Sequence, residues 1–272
     1  QTIIIWEYDR GTEKFQETLS GLAEKASMAD INGKKYNVVA MAVPEEAYEQ
    51  EFLKAYVQGT APDIVFGTPE NPSLYTGIGV TIDLRPLLEQ WEQEDSVYLK
   101  ELPELAWKFF ETKGIQNGIP VTQTGYGVIY NKEIFEAAGI TELPQTYEEW
   151  GLVCDQLVKK DIVPWINGTE TTGGPSLKCL AYWLGSNGTS MIDTAGKADY
   201  GNKACMEVWS FYDGNIKNAY QPKNVLQYTE EEAKQLLLDG KAAMYSGGIP
   251  NFIPEDTRKY GVLPMLSGTE AK

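Results

Sequence analysis

Histidine is absent from all 272 residues. That one absence removes Ser-His-Asp and Cys-His catalysis, HExxH zinc sites and the usual imidazole general base. The three cysteines, Cys154, Cys179 and Cys205, match neither a metal-ligand spacing nor a CxxC pair. They suit buried small hydrophobes in helical segments, and a Cys179–Cys205 disulfide stays open for an exported chain. There is no GxSxG and no Walker loop, and Gly77-Ile-Gly79 lacks the third glycine of a dinucleotide fingerprint. An enzyme built from this chain is left with carboxylates, Tyr, Lys or Ser.

Positive charge is also scarce. Lys and Arg number 23 against 39 Asp and Glu, for a formal net charge of −16. Such a surface repels a phosphate backbone and an anionic bilayer, so no nucleic-acid partner is expected. No apolar run approaches the roughly eighteen residues that a membrane span needs. Gln1 leads almost directly into a strand-like run, without a charged n-region or an apolar h-region. The expectation is that any signal peptide has been removed or was never there.

What is present is aromatic. Seven Trp and sixteen Tyr suit a packed core, and the surplus suits flat surfaces that are both apolar and hydrogen-bonding. The length allows two cores. Residues 2–6 (TIIIW), 36–43 (YNVVAMAV) and 62–66 (PDIVF) read as strands, and helical spacing fills 12–29 and the stretch after Pro44 up to Gly59. This βαβαβ order predicts a parallel sheet with ligand-facing carboxyl ends. Trp6-Glu7-Tyr8-Asp9 and Gly67-Thr68-Pro69-Glu70-Asn71 are the loops expected there. Residues 72–117 read mostly as helix. A second alternating set follows, with helices at 147–160, 177–183, 201–213 and 230–238. Its strands are 162–166, 242–245 and 260–263, and Gly247-Gly248 reads as a turn.

The run TGYGVIYNKEIFEAAGI followed by LPQTYEEW resembles the signature of family 1 extracellular solute-binding proteins, the carbohydrate-binding components of ABC importers. APDIVFGT at 61–68, AKQLLLDGKAAMYSGG at 233–248 and KYGVLPML at 259–266 resemble further family segments in the right order. The resemblance implies an α/β, periplasmic-binding-protein-like fold: two lobes with mainly parallel sheets, a hinge and a ligand cleft between them. It places an N-terminal lobe at 1–120, a C-terminal lobe at 121–262 and the start of a return crossing at 263–272. Thr122-Gln123-Thr124 falls near the hinge, and Tyr130-Asn131-Lys132 becomes a strand-to-helix junction that builds the second lobe. Family members continue past the position of Lys272, so the resemblance implies that the C-terminal part is lacking.

A sugar site needs aromatic planes for C–H faces and carboxylate or amide groups for hydroxyls. Carried over by position, the first lobe offers Trp6, Glu7, Tyr8, Thr68, Glu70 and Asn71. A maltose-binding member carries an acidic residue at the position of Glu70, and another near that of Gln123. Tyr126 lies close by and suits the core equally. The second lobe offers Trp165, Asn167, Thr169 and Glu170. Relatives carry a Trp shortly after the position of Gly248; here Tyr245 or Phe252 would supply the ring, or stacking is absent. Trp6 and Trp165 suit a core role as well.

The function implied is non-enzymatic: capture of a carbohydrate, an oligosaccharide first, by hinge closure, then delivery to permease subunits. The resemblance further implies a monomer without cofactor or metal, lipid-anchored or periplasmic. The start of this chain does not carry the cysteine of a lipid-anchored one. Two rivals stay open. One is a glycosidase using Glu7 with Glu70 or Glu170 as acid and base. The other is the same scaffold holding a non-sugar ligand such as a phosphate ester or a polyamine, the polyamine because an acidic aromatic cleft suits a cation.

Overall fold

A computed structural model describes residues 1–9, 11–31, 33–44, 47–67, 71–94, 97–121, 125–169, 174–249 and 258–270. The chain divides into two compact units, residues 1–123 and 124–272.

The first unit opens with β1 (Thr2–Tyr8), α1 (Glu13–Met28), β2 (Asn37–Val43), α2 (Tyr48–Gln58) and β3 (Ile64–Val65). The strands form one parallel sheet in the order β2-β1-β3, as right-handed crossovers through helices require. Thr12 caps α1 by accepting the Phe15 amide at 3.2 Å. Gly59 ends α2 in the left-handed region at φ 69°, where a side chain would be strained. Period-two alternation sends Ile4, Trp6 and Tyr8 to one face of β1, where they meet Tyr48, Phe52, Ala55 and Tyr75. The unit continues through α3 (Asn71–Gly77), α4 (Arg85–Glu94), α5 (Val97–Glu101) and α6 (Glu104–Lys108). It ends in a small hairpin of β4 (Glu111–Thr112) and β5 (Ile115–Gln116).

The second unit contains β6 (Tyr126–Asn131), α7 (Lys132–Ala138), α8 (Tyr147–Val158), β7 (Val163–Asn167) and α9 (Gly174–Ser186). Then come α10 (Lys203–Lys217), α11 (Glu230–Leu238), β8 (Ala242–Gly248) and β9 (Tyr260–Val262). The sheet order is β7-β8-β6-β9. β7 and β8 run parallel, and β6 is antiparallel to both β8 and β9. Apolar clusters cover both of its faces. Trp150, Trp165, Trp183 and Phe211 lead one cluster, and Ile166, Ala233, Leu237 and Tyr245 the other.

The YNKEIF segment is architecture. The Asn131 side chain ends β6 and caps α7, accepting the Glu133 and Ile134 amides at 3.0 and 3.2 Å. The Lys132 amide donates to the Lys259 carbonyl at 2.9 Å, and the Tyr130 and Phe135 rings lie 4.6 Å apart. Gly139 then closes the helix at φ 79°.

Two expectations need correction, and the reading of the cysteines as buried small hydrophobes holds. Trp6, Glu7 and Tyr8 lie within β1, because its pairing with β2 runs to Tyr8↔Val43. Gly247 and Gly248 are strand residues, paired with Gly127 and Tyr126. All three cysteines are unpaired and buried, and Cys205 sits against the Ser190 carbonyl at 3.4 Å.

Candidate functional site

In the first unit, the carboxyl ends of β1 and β3 are joined by one phenol. The Tyr48 hydroxyl lies 3.1 Å from the Trp6 carbonyl and 2.8 Å from that of Phe66. The Tyr8 and Tyr48 rings stand 4.4 Å apart. Burial, with Tyr8 and Glu49 adding, pushes the Tyr75 phenol up to about 12. Its hydroxyl is buried and has no hydrogen-bond partner among the described residues. Glu7 points to the opposite face of β1, half-buried, and its carboxylate accepts the Tyr8 amide at 3.1 Å. Asp9 closes the following loop by accepting from the Gly11 amide and the Gln16 side chain, both at 2.9 Å.

In the second unit, the carboxyl ends of β7 and β8 and the start of β6 share one edge of the sheet. Asn167 is buried there, its Oδ1 accepting the Gln221 side-chain amide at 2.5 Å. The Thr169 amide donates to the Tyr228 carbonyl at 3.1 Å, and its hydroxyl donates to the Val225 carbonyl. Between them, a Cβ on Gly168 would come within 2.5 Å of the Glu230 Cα. Only glycine lets the strand end meet the first turn of α11 this closely. The Tyr245 hydroxyl donates to Glu230 Oε1 at 3.1 Å. Burial raises the Tyr245 phenol far above its ordinary value, and the neighbouring Glu230 carboxylate raises it further. Burial, then Glu230 and Cys179, push the Tyr126 phenol up to about 12. The Tyr245 phenol, held protonated, and the Glu230 carboxylate therefore meet at this edge.

The residues expected from sequence separate clearly. Tyr126, Asn167, Thr169, Tyr245 and Gly248 come together at this edge of the second unit, while Glu7 and Tyr8 end β1 in the first. Asn71 is the first residue of α3. Trp6 is 8% exposed and packs edge-on against Tyr48 at 6.2 Å. Trp165 is fully enclosed; its indole N–H donates to Ser246 Oγ at 2.8 Å, and its ring faces Trp150, Trp183 and Phe211. For Trp165 the core reading is the one this arrangement gives. Thr68, Glu70, Gln123, Glu170 and Phe252 lie outside the described residues.

Sequence reasoning missed Tyr48, Tyr75, Gln221 and Glu230. The available signal for Glu230 was the run Thr229-Glu-Glu-Glu, where a capping box needs only one of the three acids. A groove of about 300 Å³ also lies in the first unit, lined by residues of α4, α5 and α6 such as Arg85, Glu89 and Trp107. None of its lining residues is at a strand end. Among the described residues, no group of His, Cys, Asp or Glu is placed to hold a metal, and no helix is long and apolar enough to cross a membrane.

The fold is of the periplasmic-binding-protein type. A sugar transporter from Arthrobacter chlorophenolicus A6 with bound laminaribiose matches with a TM-score of 0.82 at 18% identity, over 100% of this chain and 67% of that one. Maltose-bound MalE3 of T. maritima matches at 0.77 and 18%, over 100% and 68%. An ABC substrate-binding protein from Listeria monocytogenes in complex with cycloalternan matches at 0.72 and 17%, over 98% and 67%.

The chain belongs to the bacterial extracellular solute-binding protein family, whose model matches residues 13–272. A Brucella abortus (strain 2308) protein, named as a binding protein, is 26% identical over 183 residues, 61% of this chain and 43% of its own length. The matched segment thus spans less than half the length of this curated relative.

Proposed function

We propose that this protein captures a carbohydrate, an oligosaccharide before a monosaccharide, and delivers it unaltered to the permease of an ABC importer. The observation that carries the reading is the grouping of phenols, amides and a carboxylate at the carboxyl edge of the second unit's sheet, in a chain of the solute-binding family. Phenol rings cover the C–H faces of a sugar, while carboxylate and amide oxygens accept its hydroxyls. The structural neighbours that carry laminaribiose, maltose and cycloalternan agree with this choice of ligand class.

The groups divide between two units, Tyr8, Tyr48 and Tyr75 in one and Tyr126, Asn167 and Glu230 in the other. Hinge closure on the ligand is the step that a permease would read. The protein works as a monomer outside the cytoplasm, at the cell surface or in the periplasm, held there by a lipid anchor in the surface case.

The test is a thermal-shift panel of neutral oligosaccharides, polyamines and phosphate esters, with the ligand recovered afterwards for mass analysis. A neutral oligosaccharide that raises Tm and returns intact supports the proposal. Bond cleavage would favour a hydrolase, and a response confined to polyamines or phosphate esters would reassign the ligand.

A further inference from the structure

Glu230 belongs to a run of three acids in the first turn of α11, and the other two have evident work. Glu232 closes the capping box: its carboxylate accepts the Thr229 amide at 2.9 Å, and its own amide donates to Thr229 Oγ1 at 3.1 Å. Glu231 pairs with Lys234 at 3.0 Å. Glu230 does neither. It turns toward the sheet, half-buried, and takes the Tyr245 hydroxyl at 3.1 Å. Among the described residues no lysine or arginine pairs with it.

The carboxylate turns to a phenol rather than to the cap or to a cation among the described residues. The helix does not require it, since Thr229 and Glu232 already satisfy the cap. The approach is also built in from the other side, because the absent Cβ of Gly168 makes room for the Glu230 backbone. A carboxylate has about four lone-pair positions, and one phenol occupies one of them.

Resting on the sugar-capture reading, we infer that Glu230 is the specificity-determining acceptor of the second unit, taking hydroxyl protons of a neutral carbohydrate. Tyr245 fixes the orientation of the carboxylate. Glu230 supplies the negative charge at this contact. An anion meets repulsion from this charge. A neutral polyol meets an acceptor, donors and ring faces together. A ligand lacking the hydroxyl that Glu230 reads leaves the carboxylate without its partner, which is where discrimination arises.

The experiment uses the oligosaccharide giving the largest wild-type response in the panel, together with its monodeoxy analogues, titrated calorimetrically. Glu230→Ala weakens binding by about tenfold or more, as expected for loss of a hydrogen bond to a charged group. Glu230→Gln, which keeps an acceptor oxygen, loses less. One monodeoxy analogue binds wild type more weakly than the parent sugar but binds Glu230→Ala equally to the parent, a pattern that mere loosening of the fold does not give. Thr229→Ala is the control: it lowers Tm and leaves the affinity of the remaining folded protein unchanged. Wild-type affinity retained in Glu230→Ala, or a deoxy series that treats both proteins alike, overturns the assignment while leaving sugar capture standing. A wild-type protein silent toward every neutral sugar overturns both.

Discussion

The two sheets differ in how they are covered. In the second unit, apolar clusters enclose both faces, and Trp150, Trp165 and Trp183 meet edge-on at 5.5–5.7 Å. In the first, α1 has no fully buried residue. Met41 (47%) and Ile64 (48%) stand exposed on the edge strands of a parallel sheet. Parallel sheets are normally covered on both faces. Within residues 1–272, substitutions of similar size should therefore cost more in the second unit.

The largest effect is expected at the tryptophan cluster. Trp165→Ala should cost about 3–5 kcal/mol in denaturant unfolding, since it leaves a cavity in a filled core and strips Ser246 of its donor. Ile64→Ala in the first unit should change stability by less than about 0.5 kcal/mol, because much of that side chain already meets water. Similar costs at the two positions would break the comparison.

A smaller effect is expected at Glu207. Its carboxylate accepts the Thr269 amide at 2.6 Å, the Glu270 amide at 3.0 Å and the Asn187 side chain at 3.1 Å. Burial alone would raise this carboxyl, yet the amides of Glu270, Asn187 and Thr269 hold it below its ordinary 4.5. A depressed folded value means that the group stabilises above 4.5 and loses its contribution as pH falls through that lower value. Glu207→Gln should therefore lower Tm at neutral pH, and the gap from wild type should narrow in acid. Thr229→Ala should cost about 1 kcal/mol, because one hydroxyl of a capping box is removed. Hydrogen exchange sharpens the contrast again, with slower exchange expected in β6 and β8 than in β1 and β2.

Much of the fold was legible in the sequence because period and punctuation agreed. Helical spacing from Phe15 onward, Gly59 and the Asn131 junction all describe local geometry that local residues decide. Gly247-Gly248 misled because paired glycines usually mark turns. Here they extend the central strand β8, where a Cβ on Gly247 would strike the Tyr245 ring. The site was only half legible. Alternation tells that Trp165 and Ile166 face opposite ways, but not which side is filled by Trp150 and Trp183 and which by α11. Glu230 was hidden for a related reason: three adjacent acids look alike until the sheet behind one of them is in place.

Calorimetric titration of the protein with the best neutral oligosaccharide, followed by mass analysis of the recovered sugar, tests the central claim most directly. The account predicts saturable binding of one ligand per chain, with the recovered mass unchanged. Heat that continues without saturation alongside shortened product, or binding restricted to polyamines, would contradict it.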